Sequence, residues 1–153
     1  MLQPLDSSAS SHPALQHDLE YGGLLPAPEL RPLLLAEEQL RVANVLAAGG
    51  WGYGCDAGLT LVRLLPWDSG HFGFACADLT RIYLAPDAPA DQLRELLQRT
   101  VDSVRRRNVT LLSARVPTRR AELTNALLGF GFALVDTSVE LGARMPLRVA
   151  PPP

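Results

Sequence analysis

Two apolar runs, Leu59 to Leu65 and about Phe74 to Leu84, are joined by Pro66-Trp67-Asp68-Ser69-Gly70-His71-Phe72-Gly73. Each run alternates as a strand does; in the first, Leu59, Leu61 and Arg63 fall on one side and Thr60, Val62 and Leu64 on the other. The joining segment puts Trp, Asp, Ser, His and Phe into six positions, and Gly70 and Gly73 give its backbone freedom to bend. Turns normally avoid that much aromatic mass. Two readings stand side by side: a bulged hairpin whose Trp67 and Phe72 fold back into the core, and a turn that faces a ligand through Trp67, Asp68, Ser69, His71 and Phe72.

Downstream, Pro86, Asp87 and Pro89 break the second strand, and Asp87 or Asp91 can cap a helix running to about Arg107. Leu93, Leu96, Leu97, Thr100, Val101 and Val104 recur at three- and four-residue steps, which gives that helix a buried stripe. Arg105, Arg106 and Arg107 complement its C-terminal dipole; they read as a solvated end or as a site for an acidic ligand. After Asn108, Val109 to Val116 forms a third strand closed by Pro117. Thr118 can then cap a short helix carrying Leu123, Ala126, Leu127 and Phe130, with Gly131 as its left-handed terminal residue, and Phe132 to Leu141 is the last strand. The order β-β-α-β-α-β predicts an α/β (α+β) fold with a mixed sheet and packed helices.

Upstream, residues 1–28 hold Ser7, Ser8, Ser10 and Ser11 and scattered Pro and Gly without a period, and read as a disordered leader. Residues 29–50 turn helical: Leu33, Leu34, Ala36, Leu40, Ala43, Val45, Leu46 and Ala47 share a broad face, Glu37, Glu38 and Arg41 face away, and Gly49-Gly50 stops the run. This is an accessory packing helix. Gly52-Tyr53-Gly54-Cys55-Asp56-Ala57 matches G-x-G-x-x-A, but a dinucleotide fingerprint needs a strand before it and a helix after it. Here the order is reversed, so the stretch reads as a flexible connector with Trp51 and Tyr53 tucked against the domain.

The run Leu65-Pro66-Trp67-Asp68-Ser69 followed by Phe72-Gly73 resembles the L-x-W-D-S-x-F-F-G opening of sugar-nucleotide acyltransferases of the GNAT superfamily, the dTDP-fucosamine acetyltransferase type. His71 stands where that opening has its first Phe. Residues Ala126 to Asp136, with Gly129-Phe130-Gly131-Phe132 at their centre, are similar to the helix-to-strand junction that ends the acyl-CoA half of many such domains. The resemblance frames residues 59–141 as a GNAT-like domain, mainly antiparallel, with about four strands and two packed helices, followed by a linker or tail at 142–153. It implies acetyl-CoA as acyl donor and an amine acceptor such as an amino-sugar nucleotide. It also makes Tyr83 a candidate general acid, while a buried strand tyrosine is the plainer reading.

One element of the family is missing. Where an R/Q-x-x-G-x-G/A loop would turn several N–H groups toward the CoA pyrophosphate, this chain has Arg81-Ile82-Tyr83-Leu84-Ala85-Pro86-Asp87-Ala88-Pro89. Proline offers no N–H, Asp87 repels phosphate, and there is no glycine. The resemblance therefore implies the N-terminal or accessory half of an N-acetyltransferase, incomplete without a catalytic GNAT domain supplied elsewhere. The alternative is a non-catalytic α/β module that binds a small molecule or a protein through residues Trp67 to Gly73.

Composition narrows the partners. At 153 residues and 47% hydrophobic, the chain can bury a core as one domain. A net charge of −2, with all 14 cations arginine, gives no basic face for nucleic acid or an anionic membrane. Cys55 and Cys76 lack CxxC spacing and read as reduced small hydrophobes, and no His/Asp/Glu cluster points to a metal. Asp68, Ser69 and His71 lie within one turn and are poorly placed for a hydrolase triad. The N-terminus shows no signal peptide, and the run Leu33-Leu34-Leu35-Ala36 is too short to span a bilayer, so a cytoplasmic protein, with a homodimer as one admissible state, is the expectation.

Overall fold

The computed structural model describes residues 2–16, 30–117 and 120–136. Five strands form one sheet in chain order: β1 (Gln3–Pro4), β2 (Trp51–Cys55), β3 (Gly58–Leu64), β4 (Cys76–Leu84) and β5 (Leu111–Ala114). Neighbours pair antiparallel except β4 and β5, which run parallel through the crossover helix α3 (Ala90–Arg106). The other helices are α1 (Arg31–Ala47), α2 (Pro66–Phe72) and α4 (Ala121–Gly129). The mixed, mainly antiparallel α/β architecture is the one expected. It holds one more described strand than expected, and β1 and β2 lie upstream of the framed segment.

The centre of the sheet is buried on both faces at β3, where Gly58 to Val62 are all buried. Leu59 and Leu61 pack with Val42 of α1 and Tyr83, while Val62 packs with Leu79 and with Leu93 and Leu97 of α3. The stripe read from the α3 sequence is the one that is buried. Polar atoms caught beneath α3 are paired, as burial requires. The Trp51 indole N–H donates to Ser103 Oγ at 2.8 Å, the Ser103 hydroxyl donates to the Thr100 carbonyl at 2.7 Å, and the Thr60 and Thr100 hydroxyls meet at 2.7 Å. Arg107 stacks 4.3 Å from the Trp51 ring centre and Arg105 pairs with Asp102, which accounts for two of the three terminal arginines without an anionic ligand.

Several expectations are corrected. Residues 51–55 are a strand: Trp51 and Gly52 are buried in the ladder, with Gly52 opposite Leu61. A Cβ on Gly52 would collide with the Thr60 carbonyl, so the glycines of this stretch serve close strand packing and not a phosphate. The joining segment 66–72 is a helix rather than a bulged turn, because Pro66 fits its first turn and Gly73, at φ +75°, ends it in the left-handed region. No aspartate caps α3: its N-cap is Pro89, and Asp91 lies inside the first turn. Residues 132–136 form no strand, and 137–141, like Thr118, the 17–28 portion of the leader and the 142–153 tail, lie outside the described residues.

The leader is folded where it is described. Gln3 and Pro4 pair with Gly54 and Tyr53, a 3₁₀ helix spans Ser7–Ser11, and Ala9, Ala14 and Leu15 are buried against α1. Sparse but well-placed apolar residues do this, a pattern too short to show a period. His12 fastens the segment. Its Nε2–H donates to the Cys55 carbonyl at 3.1 Å and its Nδ1 accepts the Ala14 N–H at 3.1 Å, an arrangement only the neutral ring can make. Burial pushes the His12 pKa below its ordinary value, outweighing the hydrogen bond to Cys55 and the nearby Asp56 charge. The unfolded chain takes up this proton first, so the stabilisation is intact above the unfolded pKa near 6.5 and is lost as pH falls below it. Hydrogen exchange at Ala14, corrected for intrinsic rate, should lose protection as pH falls through that window. His12→Gln, which cannot titrate there, should flatten the dependence.

Candidate active site: the opening between β4 and β5

Strands β4 and β5 are joined only along Cys76–Leu79 and Leu111–Ala114. Past Ala114 the chain leaves the sheet and reaches Pro117, whereas β4 continues to Leu84. Among the described residues, nothing pairs with β4 from Thr80 to Leu84 on that side, which leaves an open strand edge. The opening begins at a defect. The β3 register passes from Leu61 opposite Arg81 to Val62 opposite Leu79, so Thr80 is an extra residue, and a bulge of this kind leaves a backbone group without a ladder partner. A polar, extended ligand can pair with such an edge.

Polar side chains gather beside this edge. Asp78, two residues before the bulge, accepts from Ser113 Oγ at 3.2 Å and pairs with Arg63 at 3.5 Å. Tyr83 and Arg81 meet Glu38 of α1. The Tyr83 hydroxyl donates to Glu38 Oε2 at 2.5 Å, Arg81 Nε lies 3.3 Å from the same oxygen, and Arg41 Nε donates to Oε1 at 3.2 Å. Burial alone would raise the Glu38 carboxyl pKa, but the hydrogen bonds from Tyr83 and Arg81 and the charges of Arg81 and Arg41 together hold it below the ordinary value. Burial first, and then the Glu38 carboxylate, push the Tyr83 hydroxyl above the ordinary tyrosine range. As placed, the Tyr83 proton is committed to Glu38; the cluster pins α1 to β4.

Helix geometry overturns the outward placement of Glu38, whose side chain is only 14% exposed. Its signal in the sequence was its spacing to Arg41, which could equally have served the surface. Asp78 and Thr80 were missed because a bulge has no residue signature, although two polar residues interrupting an apolar strand were visible.

The β4–α3 connection carries the acyl-CoA question. Ala85 N–H bonds the Ala57 carbonyl, Ala88 N–H bonds the Ala85 carbonyl, and Pro86 and Pro89 have none to offer. Leu93 N–H makes the first bond of α3, to Pro89. The N–H groups of Ala90, Asp91 and Gln92 remain at the helix end. Asp87 and Asp91 set two carboxylates in the same segment. These residues poorly fit a pyrophosphate at the start of α3.

The residues read from sequence as substrate-binding all lie on α2, which is fastened to the sheet at Cys76, four residues and about 13 Å from the bulge at the rise of an extended strand. Trp67 is 76% and Phe72 52% exposed, so neither is core. Ser69 is structural: its hydroxyl donates to the Leu65 carbonyl at 2.7 Å and accepts the Cys76 N–H at 2.9 Å. Asp68 and His71 make no hydrogen bond to it among those described, so no triad is assembled. A shallow cleft of about 340 Å³ lies elsewhere, between the N-terminal segment and β2. His12 in its wall has both ring nitrogens engaged and offers no base. Both cysteines are free. Among the described residues no group of His, Cys, Asp and Glu could hold a metal, and no helix is long and apolar enough to cross a membrane.

No protein-family model matches the chain, and no curated protein is significantly similar to it. Solved structures share its fold. A ribosomal-protein-alanine N-acetyltransferase from Brucella melitensis biovar Abortus 2308 superposes with a TM-score of 0.60 at 16% identity, over 94% of this chain and 99% of that one. An acetyltransferase from Clostridium acetobutylicum, assigned as such by prediction and solved with acetyl-CoA, gives 0.60 at 16% identity over 93% and 95%. An aminoglycoside acetyltransferase from an uncultured soil metagenomic sample, in complex with trehalose, gives 0.59 at 8% identity over 95% of each chain. At these identities the likeness is one of fold, and the superpositions take in the described N-terminal elements as well as the segment from residue 59 onward.

Proposed function

We propose that this chain is an N-acetyltransferase-type domain that lays the acyl-bearing arm of a thioester along the open edge of β4 and transfers the acyl group to an amine. The observation that carries this is the bulge at Thr80, placed where the parallel pairing of β4 and β5 ends. A strand edge that opens beside a bulge offers backbone groups to an amide-containing arm and to the acyl oxygen at once. Asp78 is the base. The amine nitrogen attacks the acyl carbon, the C–S bond breaks with its electron pair leaving on sulfur, and the nitrogen's proton passes to Asp78, directly or through one water, and on to the thiolate. The acceptor implied by the resemblance is an amino-sugar nucleotide.

The loop from Ala85 to Pro89 sets the limit of this reading. With Pro86, Asp87 and Pro89 there, the pyrophosphate adds little to binding, and a second domain, in another subunit or elsewhere in the protein, would supply that grip. Acetyl-CoA and acetyl-pantetheine should therefore bind with affinities within about threefold of each other in calorimetric titrations. A working cradle of charge-assisted hydrogen bonds, each about 1.5–3 kcal/mol, would separate them by more than about a hundredfold. Binding of neither would favour the non-catalytic module instead.

A further inference from the structure

The aromatic face of α2 stands open to solvent. None of the seven residues Pro66–Phe72 is buried. A helix this short is unstable by itself in water, and this one is fastened on one side only, through Ser69 to Leu65 and Cys76. Its other side presents Trp67 at 76%, Phe72 at 52% and, just beyond, Phe74 at 41% exposure. The rings form one connected row. Trp67 lies parallel to His71 with centroids 5.3 Å apart, His71 meets Phe72 edge-on at 5.0 Å, and Phe72 stacks on Phe74 at 5.8 Å. With aromatic residues covering about 150–250 Å² each, these exposures leave on the order of 400 Å² in one patch. A standard interface takes about 800 Å² from each partner, somewhat more than half of it apolar. The row supplies most of that apolar share.

We propose that this face docks on a second copy of the same chain, α2 against α2 across a twofold axis. Asp68 lies in the first turn of α2 and His71 in the last. Antiparallel pairing brings each Asp68 toward the His71 of the second copy and opposes the two helix dipoles favourably. The row itself carries one acidic residue and one imidazole, which gives a strongly charged partner nothing to select.

Sedimentation equilibrium on the full chain tests this. The wild type should be a dimer at tens of micromolar, and the Trp67→Glu/Phe72→Glu double variant a monomer with an unchanged melting temperature. In case that variant fails to fold, His71→Asp, at an exposed position, gives an independent reading: it sets a carboxylate against Asp68 of the second copy and should weaken the dimer by about tenfold or more. A wild type that stays monomeric overturns the proposal, and so does a dimer that survives both variants unchanged.

Discussion

Asp78→Asn should lower turnover by about 10²–10⁴-fold with an amine acceptor while leaving thioester binding unchanged. The asparagine keeps the shape and can still accept from Ser113 Oγ, and the lost ion pair is with Arg63, whose side chain is 53% exposed. Exposed pairs of that kind are worth roughly 0–1 kcal/mol, so the fold should hold. What the substitution removes is the proton acceptor beside the bulge. Release of free thiol from acetyl-CoA, measured across a panel of amines with wild type and variant, reads the effect. Equal turnover by both would take Asp78 out of the chemistry.

A second large effect is expected in stability rather than in turnover. Gly58→Ala should destabilise the domain by about 3 kcal/mol or more, read from urea denaturation midpoints. Gly58 has φ +148° and stands opposite Leu84, and a Cβ there would strike the Tyr83 carbonyl, a backbone atom that can retreat only by opening the β3–β4 ladder. Gly70→Ala is the control: it adds a methyl to a helix in open space and should be neutral or stabilising by up to about 1 kcal/mol. A loss below about 1 kcal/mol for Gly58→Ala would mean that the hairpin end is far softer than its geometry implies.

These two positions also mark how far the sequence could be read. The α3 stripe and the run of β3 were legible because their apolar residues repeat at 3.6 or 2 over enough length to average out noise. Helix α1 was legible as a helix but not in its packed face: Leu33 and Leu40, read as part of that face, are 67% and 60% exposed, and the buried side chain is Val42. β1 and β2 were not: one has two residues, the other is two-fifths glycine, and they are held by pairing, β1 with β2 and β2 with β3, and by the packing of Leu5 and Leu59, which no local pattern records. The segment Trp67 to Phe72 was singled out correctly as unusual, but apolar mass alone could not tell whether it faced inward. Its exposure follows from Pro66 starting a helix and Ser69 tethering it to the sheet, both non-local in effect. Glu38 illustrates the same limit from the polar side. A carboxylate in an amphipathic helix reads as solvated until a strand tyrosine and arginine arrive beneath it.

The missing glycines of the β4–α3 connection were the most informative absence in the sequence, and the structure places those residues at the helix start where such glycines would act. That leaves the open edge of β4 as the centre of the account. Backbone amide spectra of the ¹⁵N-labelled chain, titrated with acetyl-CoA into the millimolar range, test it most directly. The amides of Thr80 to Leu84 and of Leu111 to Ala114 should shift together and saturably, with those of Ala85 to Asp91 responding little. Saturable shifts confined to other parts of the chain, or none at all, would contradict it.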